Sequence, residues 1–258
     1  MNTDLTRSLS SAHTPWTERR ISVTHRKWFE SLIELHQLTL DWLSELKIDR
    51  PSHFLSRKPD QKISEELRGL FGLLESFAVT PTTSEYLTDL LDDTQPEDLL
   101  ARLENLVHVV RAATLSGIRE ETPEKDWPDM RGLLQQIAWR AGRKSAQIRW
   151  SKSPSFDRQD LRQAFEALKL APIFPFSMQK PILAQRALPD ELRIELLLCP
   201  HRSPFAETRA IADDLCPIDG QWIRGFAYEI NSAAQIQESE TGGAPPVRCL
   251  QTWTLPKQ

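Results

Sequence analysis

The apolar residues of this chain change their spacing after residue 175, and that switch limits the fold more than any other feature of the sequence. Upstream they recur every three or four positions, the period of a helix burying one stripe; downstream they alternate, the period of a strand burying one face. In "KWFESLIELHQLTLDWLSELKI", Phe29, Leu32, Ile33, His36, Leu40 and Leu43 fall on one helical stripe. "DRPSHFLSRKPD" breaks that helix, and a second stripe runs through Ile63, Leu67, Leu70, Phe71, Leu74 and Phe77. Ser84 is placed to cap a short helix carrying Leu87, Leu90 and Leu91. Thr94, Pro96 and Glu97 then open another, with Leu99, Leu103, Leu106, Val107 and Val110 on its apolar side.

"SGIREETPEKDWPD" is polar, holds two prolines and a glycine, and interrupts the periodicity, which places a domain boundary near residue 122. Residues 1–20, rich in Ser, Thr and charge, read as a flexible arm; 21–122 read as a helical region and 123–258 as an α+β domain. Within the latter, "DMRGLLQQIAWRAGRKSAQIRW" is expected to turn Leu134, Ile137, Ala138, Ala141 and Ile148 inward, and "DRQDLRQAFEALKL" to form a further helix. "KPILAQRALPDELRIELLLC" reads as two antiparallel strands around Pro189 and Asp190, with Leu192, Ile194, Leu196 and Leu198 on the buried face. From Pro204 helical spacing returns through Phe205, Ala212, Leu215, Trp222, Phe226, Ala227 and Ile230, with Asp219-Gly220 as a break between two pieces. A final hairpin is expected from "AAQIQE", "TGGAPP" and "VRCLQTWTL", in which Val247, Cys249 and Trp253 share a face. The fold class is therefore α+β: an N-terminal helical bundle followed by a small antiparallel sheet with helices.

Charge removes several classes of function. Lys and Arg total 32 against 36 Asp and Glu, a net charge of -4 with a pI near 5.9. No global positive field draws such a chain to nucleic acid or to an anionic membrane, and neither partner is expected. No apolar run suits a bilayer span, and the N-terminus lacks the apolar core of a signal peptide, so the expected compartment is the cytoplasm. Three widely spaced cysteines do not form a disulfide framework.

Cys199 and His201 are the sharpest chemical pair. If the strand continues past Leu198, positions two apart share a face, and thiol and imidazole meet as nucleophile and base. The alternative reading has Cys199 as a small buried hydrophobe and His201 in the next turn. Cys199, His201, Cys216 and Cys249 form a soft ligand set, but their wide separations lack the close pairs of zinc sites, so no metal and no cofactor are expected. Arg140 and Arg143, near Trp139, could clamp a carboxylate; so could Arg224, beside a Trp222 whose spacing to Phe226 also suits a core position. His36 on the first stripe reads as a core histidine, and Asp213-Asp214 as a solvated helix face.

The order helix, helix, hairpin, cysteine-bearing turn, helix, hairpin, with "RGLLQQIAWRAGRKSA", "IELLLCPH", "ADDLC" and "RCLQTWTL" inside it, resembles the α+β module shared by four-vinyl reductase domains and aminothiazoline carboxylate hydrolases. The resemblance covers roughly the second half, and Cys199, Cys216 and Cys249 stand where that family places cysteines. It implies a small organic ligand bound by a sensor module, with Arg140, Arg143, Trp222, Arg224, Cys216, Cys249 and Trp253 as ligand-binding candidates. It equally implies a hydrolase of a small cyclic amide or thiazoline-like compound, with Cys199 and His201 catalytic. Zinc-binding members carry a second cysteine and an acidic residue near the last one, and "VRCLQTW" has neither. A third reading is a structural assembly component docking through its helical region. Family members dimerise, and Leu133 and Trp139 lie off the main stripe of their helix, which predicts a homodimer.

Overall fold

The structure, a computed structural model, describes residues 23–48, 96–151, 157–168, 182–196, 211–241 and 248–256. The readings of residues 1–20, of the stripe from Ile63 to Phe77 and of the helix after Ser84 lie outside these residues. So do those of Leu198, Cys199, His201, Phe205 and Val247.

The described chain is α+β: helices α1 (Val23–Glu45), α2 (Pro96–Glu121) and α3 (Trp127–Ser151), then α4 (Leu161–Leu168), strands β1 (Ile182–Ala187) and β2 (Glu191–Leu196), helix α5 (Ala212–Ile230), and strands β3 (Gln235–Thr241) and β4 (Arg248–Thr254). No described helix is long and apolar enough to cross a membrane.

Helix α1 buries Phe29, Leu32, Leu35, His36, Trp42 and Leu43, while Ile33 and Leu40 are only half-buried. The stripe is thus rotated toward Leu35 and Trp42 relative to the reading from spacing alone. Its end is built by hydrogen bonds: Ile48 N–H donates to Leu43 O at 2.8 Å and Lys47 N–H to Ser44 O at 3.1 Å, with Lys47 at a φ of 55°. That is the left-handed turn that most often takes glycine. Helix α2 opens with Pro96 at its first position, where the missing N–H costs nothing. It runs on to Glu121, so Ser116, Gly117 and Ile118 continue the helix they were expected to interrupt. Buried Leu115 and Ile118 continue its apolar side, and only residues 122–126 separate α2 from α3.

The most extensive contact between described elements is α3 on α5. Two glycines permit it. A Cβ on Gly142 would stand 2.0 Å from the Trp222 carbonyl oxygen, and one on Gly225 would stand 2.0 Å from that of Trp139. The backbones therefore cross in direct contact, with Ala138 and Ala146 buried a turn either side of Gly142. Ile148, expected inward, is 43% exposed, because the contact stripe runs through Ala138, Gly142 and Ala146. Helix α5 is continuous through Pro217, Asp219 and Gly220, which corrects the expected break. Asp160 caps α4, its Oδ1 accepting the Arg162 backbone N–H at 3.0 Å.

The sheet is antiparallel in the order β1-β2-β4-β3. Its register pairs Leu192 with Trp253, Ile194 with Gln251 and Leu196 with Cys249, and on the other side of β4 it pairs Ile236 with Trp253 and Glu238 with Gln251. Leu192, Ile194, Ile236, Glu238, Gln251 and Trp253 share one face, on which Leu192, Ile194 and Trp253 are fully buried. One apolar cluster runs from Phe29 and Trp42 through Leu134 and Trp222 to Trp253 and includes Phe165 of α4, so the core is continuous across residues 122–126.

Candidate functional site

Helix α5 brings three polar settings together. Two turns into the helix, Asp219 is buried against Arg111 of α2: Arg111 Nη1 donates to Asp219 Oδ2 at 2.9 Å and Nη2 donates to Oδ1, with both side chains at most 3% exposed. The guanidinium carbon also lies 4.9 Å from the ring centre of Trp42 on α1. A fork-to-carboxylate pair inside an apolar core fixes the separation and rotation of the helices that carry it.

Midway along α5, Arg224 reaches the sheet, Nη1 donating to Ile236 O at 3.4 Å and Nη2 meeting Glu238 Oε2 at 3.5 Å. Gln251 Nε2 donates to Glu238 Oε1 at 3.2 Å, and Trp253 Nε1 donates to Gln251 Oε1 at 3.3 Å. A polar chain thus runs across the inner face from the buried indole to the helix, and the carboxylate of Glu238 has partners on both oxygens.

At the C-terminal end of α5 lies a cleft of about 330 Å³ lined by Arg143, Arg158, Tyr228, Glu229, Asn231 and Ser232, among others. Arg143 Nε donates to Glu229 Oε2 at 2.8 Å, and its guanidinium carbon lies 4.9 Å from the Trp139 ring centre and 5.4 Å from that of Tyr228. Burial pushes the Glu229 carboxyl up, but hydrogen bonds from Gln147 and Arg143, with the charges of Arg143 and Arg158, outweigh it and hold the group below the usual carboxylate range. Asn231 anchors the opposite wall, its Nδ2 donating to Arg158 O at 3.0 Å while its Oδ1 accepts from Ala233 N at 2.9 Å. The turn holding Arg158 is thereby fixed to the helix end.

The sequence candidates divide by environment. Arg143 lines the cleft, whereas Arg140 points away and pairs at the surface with Glu45 of α1 at 2.7 Å. Trp222 and Trp253 are enclosed in the core, Trp222 stacking on Phe226 at 5.3 Å between ring centres. Cys216 is an exposed free thiol on α5. Cys249 pairs in backbone register with Leu196 and Glu240, and its side chain lies outside the described residues, as do Cys199 and His201 entirely. Asp213 is exposed, but Asp214 accepts a hydrogen bond from Trp127 Nε1 at 3.2 Å and so ties the start of α5 to that of α3. His36 is 1% exposed, and burial lowers its imidazole pKa to about 4, so it is neutral in the folded protein. Among the described residues no group of three His, Cys, Asp or Glu side chains is placed to hold a metal ion.

Spacing did not single out Arg111, Arg158, Tyr228, Glu229 or Asn231. Arg111 carried a signal, because it lies one turn beyond Val107 and two beyond Leu103 on the apolar side of α2. Asn231, just past the last apolar residue of α5, carried a weaker one as a helix-stop residue. No protein family, curated protein or solved structure matches the chain significantly.

Proposed function

We propose that this chain is a small-molecule-binding module whose helical region reports occupancy of the α+β part to a protein partner. The observation that carries this reading is that α5 is common to all three settings: it borders the cleft through Tyr228 and Glu229, meets the sheet through Arg224, and is locked to α2 by the Asp219–Arg111 pair. A ligand that shifts the end of a stiff helix biases whatever is bonded to its other turns, provided it binds one arrangement better than the other. The close crossing at Gly142 and Gly225 supports the same reading, since two backbones in contact transmit displacement without side chains that could absorb it. The resemblance to four-vinyl reductase domains is compatible with it.

The test is a thermal-shift screen followed by hydrogen exchange with the best ligand. At a hundredfold excess over its Kd a ligand stabilises by about 2.7 kcal/mol, which for a chain of this size raises Tm by roughly 5–10 °C. Protection is expected in α1 and α2 as well as around the cleft, and Asp219→Asn should remove the remote part while leaving binding in place. A screen without stabilising compounds, or protection confined to the lining residues, would overturn the reading.

A further inference from the structure

We propose that the seam between α1 and α2, around Trp42 and Arg111, is an internal hydration site that holds ordered water molecules. The proposal concerns the helical region alone and stands apart from the ligand-binding reading above.

Four buried polar groups carry it. The indole Nε1 of Trp42, the hydroxyl of Thr39, the Nε of Arg111 and the hydroxyl of Thr114 have no hydrogen-bond partner among the described residues, and all four residues are at most 2% exposed. They come from two helices in contact, where the Arg111 guanidinium lies over the Trp42 ring with its carbon 4.9 Å from the ring centre. Thr39 lies one turn before Trp42 on α1, and Thr114 one turn after Arg111 on α2, so each hydroxyl neighbours one member of that stack on its own helix. Left dry, such a set is costly. A buried polar group without a partner forfeits its hydration in full, and four together would cancel much of the stability of an ordinary domain. The adjoining core positions Leu35, Leu38 and Val107 show the apolar alternative that would avoid the loss.

The four groups select their occupant. The indole and the guanidinium Nε only donate, whereas the two hydroxyls both donate and accept. The occupant must therefore accept from the first pair and be able to donate to the second. Asp219 already balances the charge of Arg111 through its two Nη groups, so an anion would find no net positive charge from that pair. The stack of Arg111 on Trp42 leaves no room for an organic group between them. Water is the smallest molecule that donates and accepts, and it is the usual occupant of polar interior sites. Ordered water at Nε completes that donor without screening Asp219 as bulk solvent would, so the pair keeps its buried character.

Magnetisation transfer from water to the intact chain, isotopically labelled at its tryptophans, tests this, with Trp42→Phe assigning the resonance. The Trp42 indole N–H should show a cross-peak to long-lived water. Thr39→Val and Thr114→Val, which keep the shape and remove the hydroxyl, should each lower Tm by at least about 2 °C, because the water loses a partner. In a dry seam the same changes would remove an orphaned hydroxyl and raise Tm. Absence of the cross-peak, or a Tm that holds or rises in either valine variant, would overturn the proposal. Native mass spectrometry of the purified chain should show the sequence mass alone, and a retained adduct lost in Thr39→Val would assign the seam to a small organic molecule instead of water.

Discussion

Arg111 and Asp219 carry the largest single-residue consequence. Removing one charge strands the other inside the core, so Asp219→Asn should cost about 3–5 kcal/mol, read from urea unfolding. Replacing both, as Arg111→Met with Asp219→Leu, leaves no stranded charge and should recover most of the loss. A loss below 1 kcal/mol in the single variant would mean that water reaches the pair. His36 makes a second prediction, with its sign fixed by burial. Its folded pKa of about 4 lies below the ordinary 6.5, so the unfolded chain takes up a proton that the folded chain refuses. The protein should therefore lose stability as pH falls from 6.5 toward 4, by at most about 3 kcal/mol from this residue, and His36→Gln should flatten that part of the profile. A variant that keeps the wild-type slope would assign it to other groups. In the sequence, His36 was legible as a core histidine because its neighbours on the stripe are apolar. The partner of Arg111 was not legible, since it lies 108 residues away and local spacing carries no information over that distance.

At the level of elements, the α3–α5 crossing gives opposite predictions for chemically identical changes. In a helix, Gly to Ala is ordinarily favourable by about 1 kcal/mol. Gly132→Ala on α3 should show that gain, because nothing lies within 4 Å of the new methyl. Gly142→Ala and Gly225→Ala should instead destabilise by about 1–3 kcal/mol, since each methyl meets a backbone carbonyl that can retreat only if the helices separate. The two together should cost less than their sum, because one separation relieves both clashes. Equilibrium urea curves decide it, and a stabilising Gly142→Ala would disprove the close approach. The helical and strand periods were readable, as was the alternation that buries Leu192 and Ile194. The crossing was not, because a glycine in a helix looks the same whether it admits a neighbour or faces solvent. Reading Asp219-Gly220 as a break failed for a related reason: local propensity is weak, and the Arg111 bond together with packing on α3 outweighs it.

For the molecule as a whole, the apolar cluster continuous across residues 122–126 predicts one cooperative unfolding transition. Far-UV circular dichroism, dominated by helix, and tryptophan fluorescence, which samples Trp42 on α1 and Trp253 on β4, should trace the same curve. Two separated transitions would mean that the halves fold independently. The class of fold was readable at this scale and the docking of the halves was not, because it depends on contacts such as the Arg111–Asp219 pair rather than on any period in the sequence.

The strand order β1-β2-β4-β3 also bears on how a ribosome delivers this chain. The β1-β2 hairpin is the first part of the sheet to emerge, but the neighbour that completes the ladder of β2 is β4, and all of α5 and β3 must be synthesised before it exists. Throughout that interval β2 holds an open edge, with Leu192 and Ile194 still lacking Trp253 and Gln251 opposite them. An unfilled edge beside an apolar face invites a strand from another nascent chain. The charges flanking those residues, Glu191, Arg193 and Glu195, are what the half-made sheet has to discourage such a visitor until its own last strand arrives.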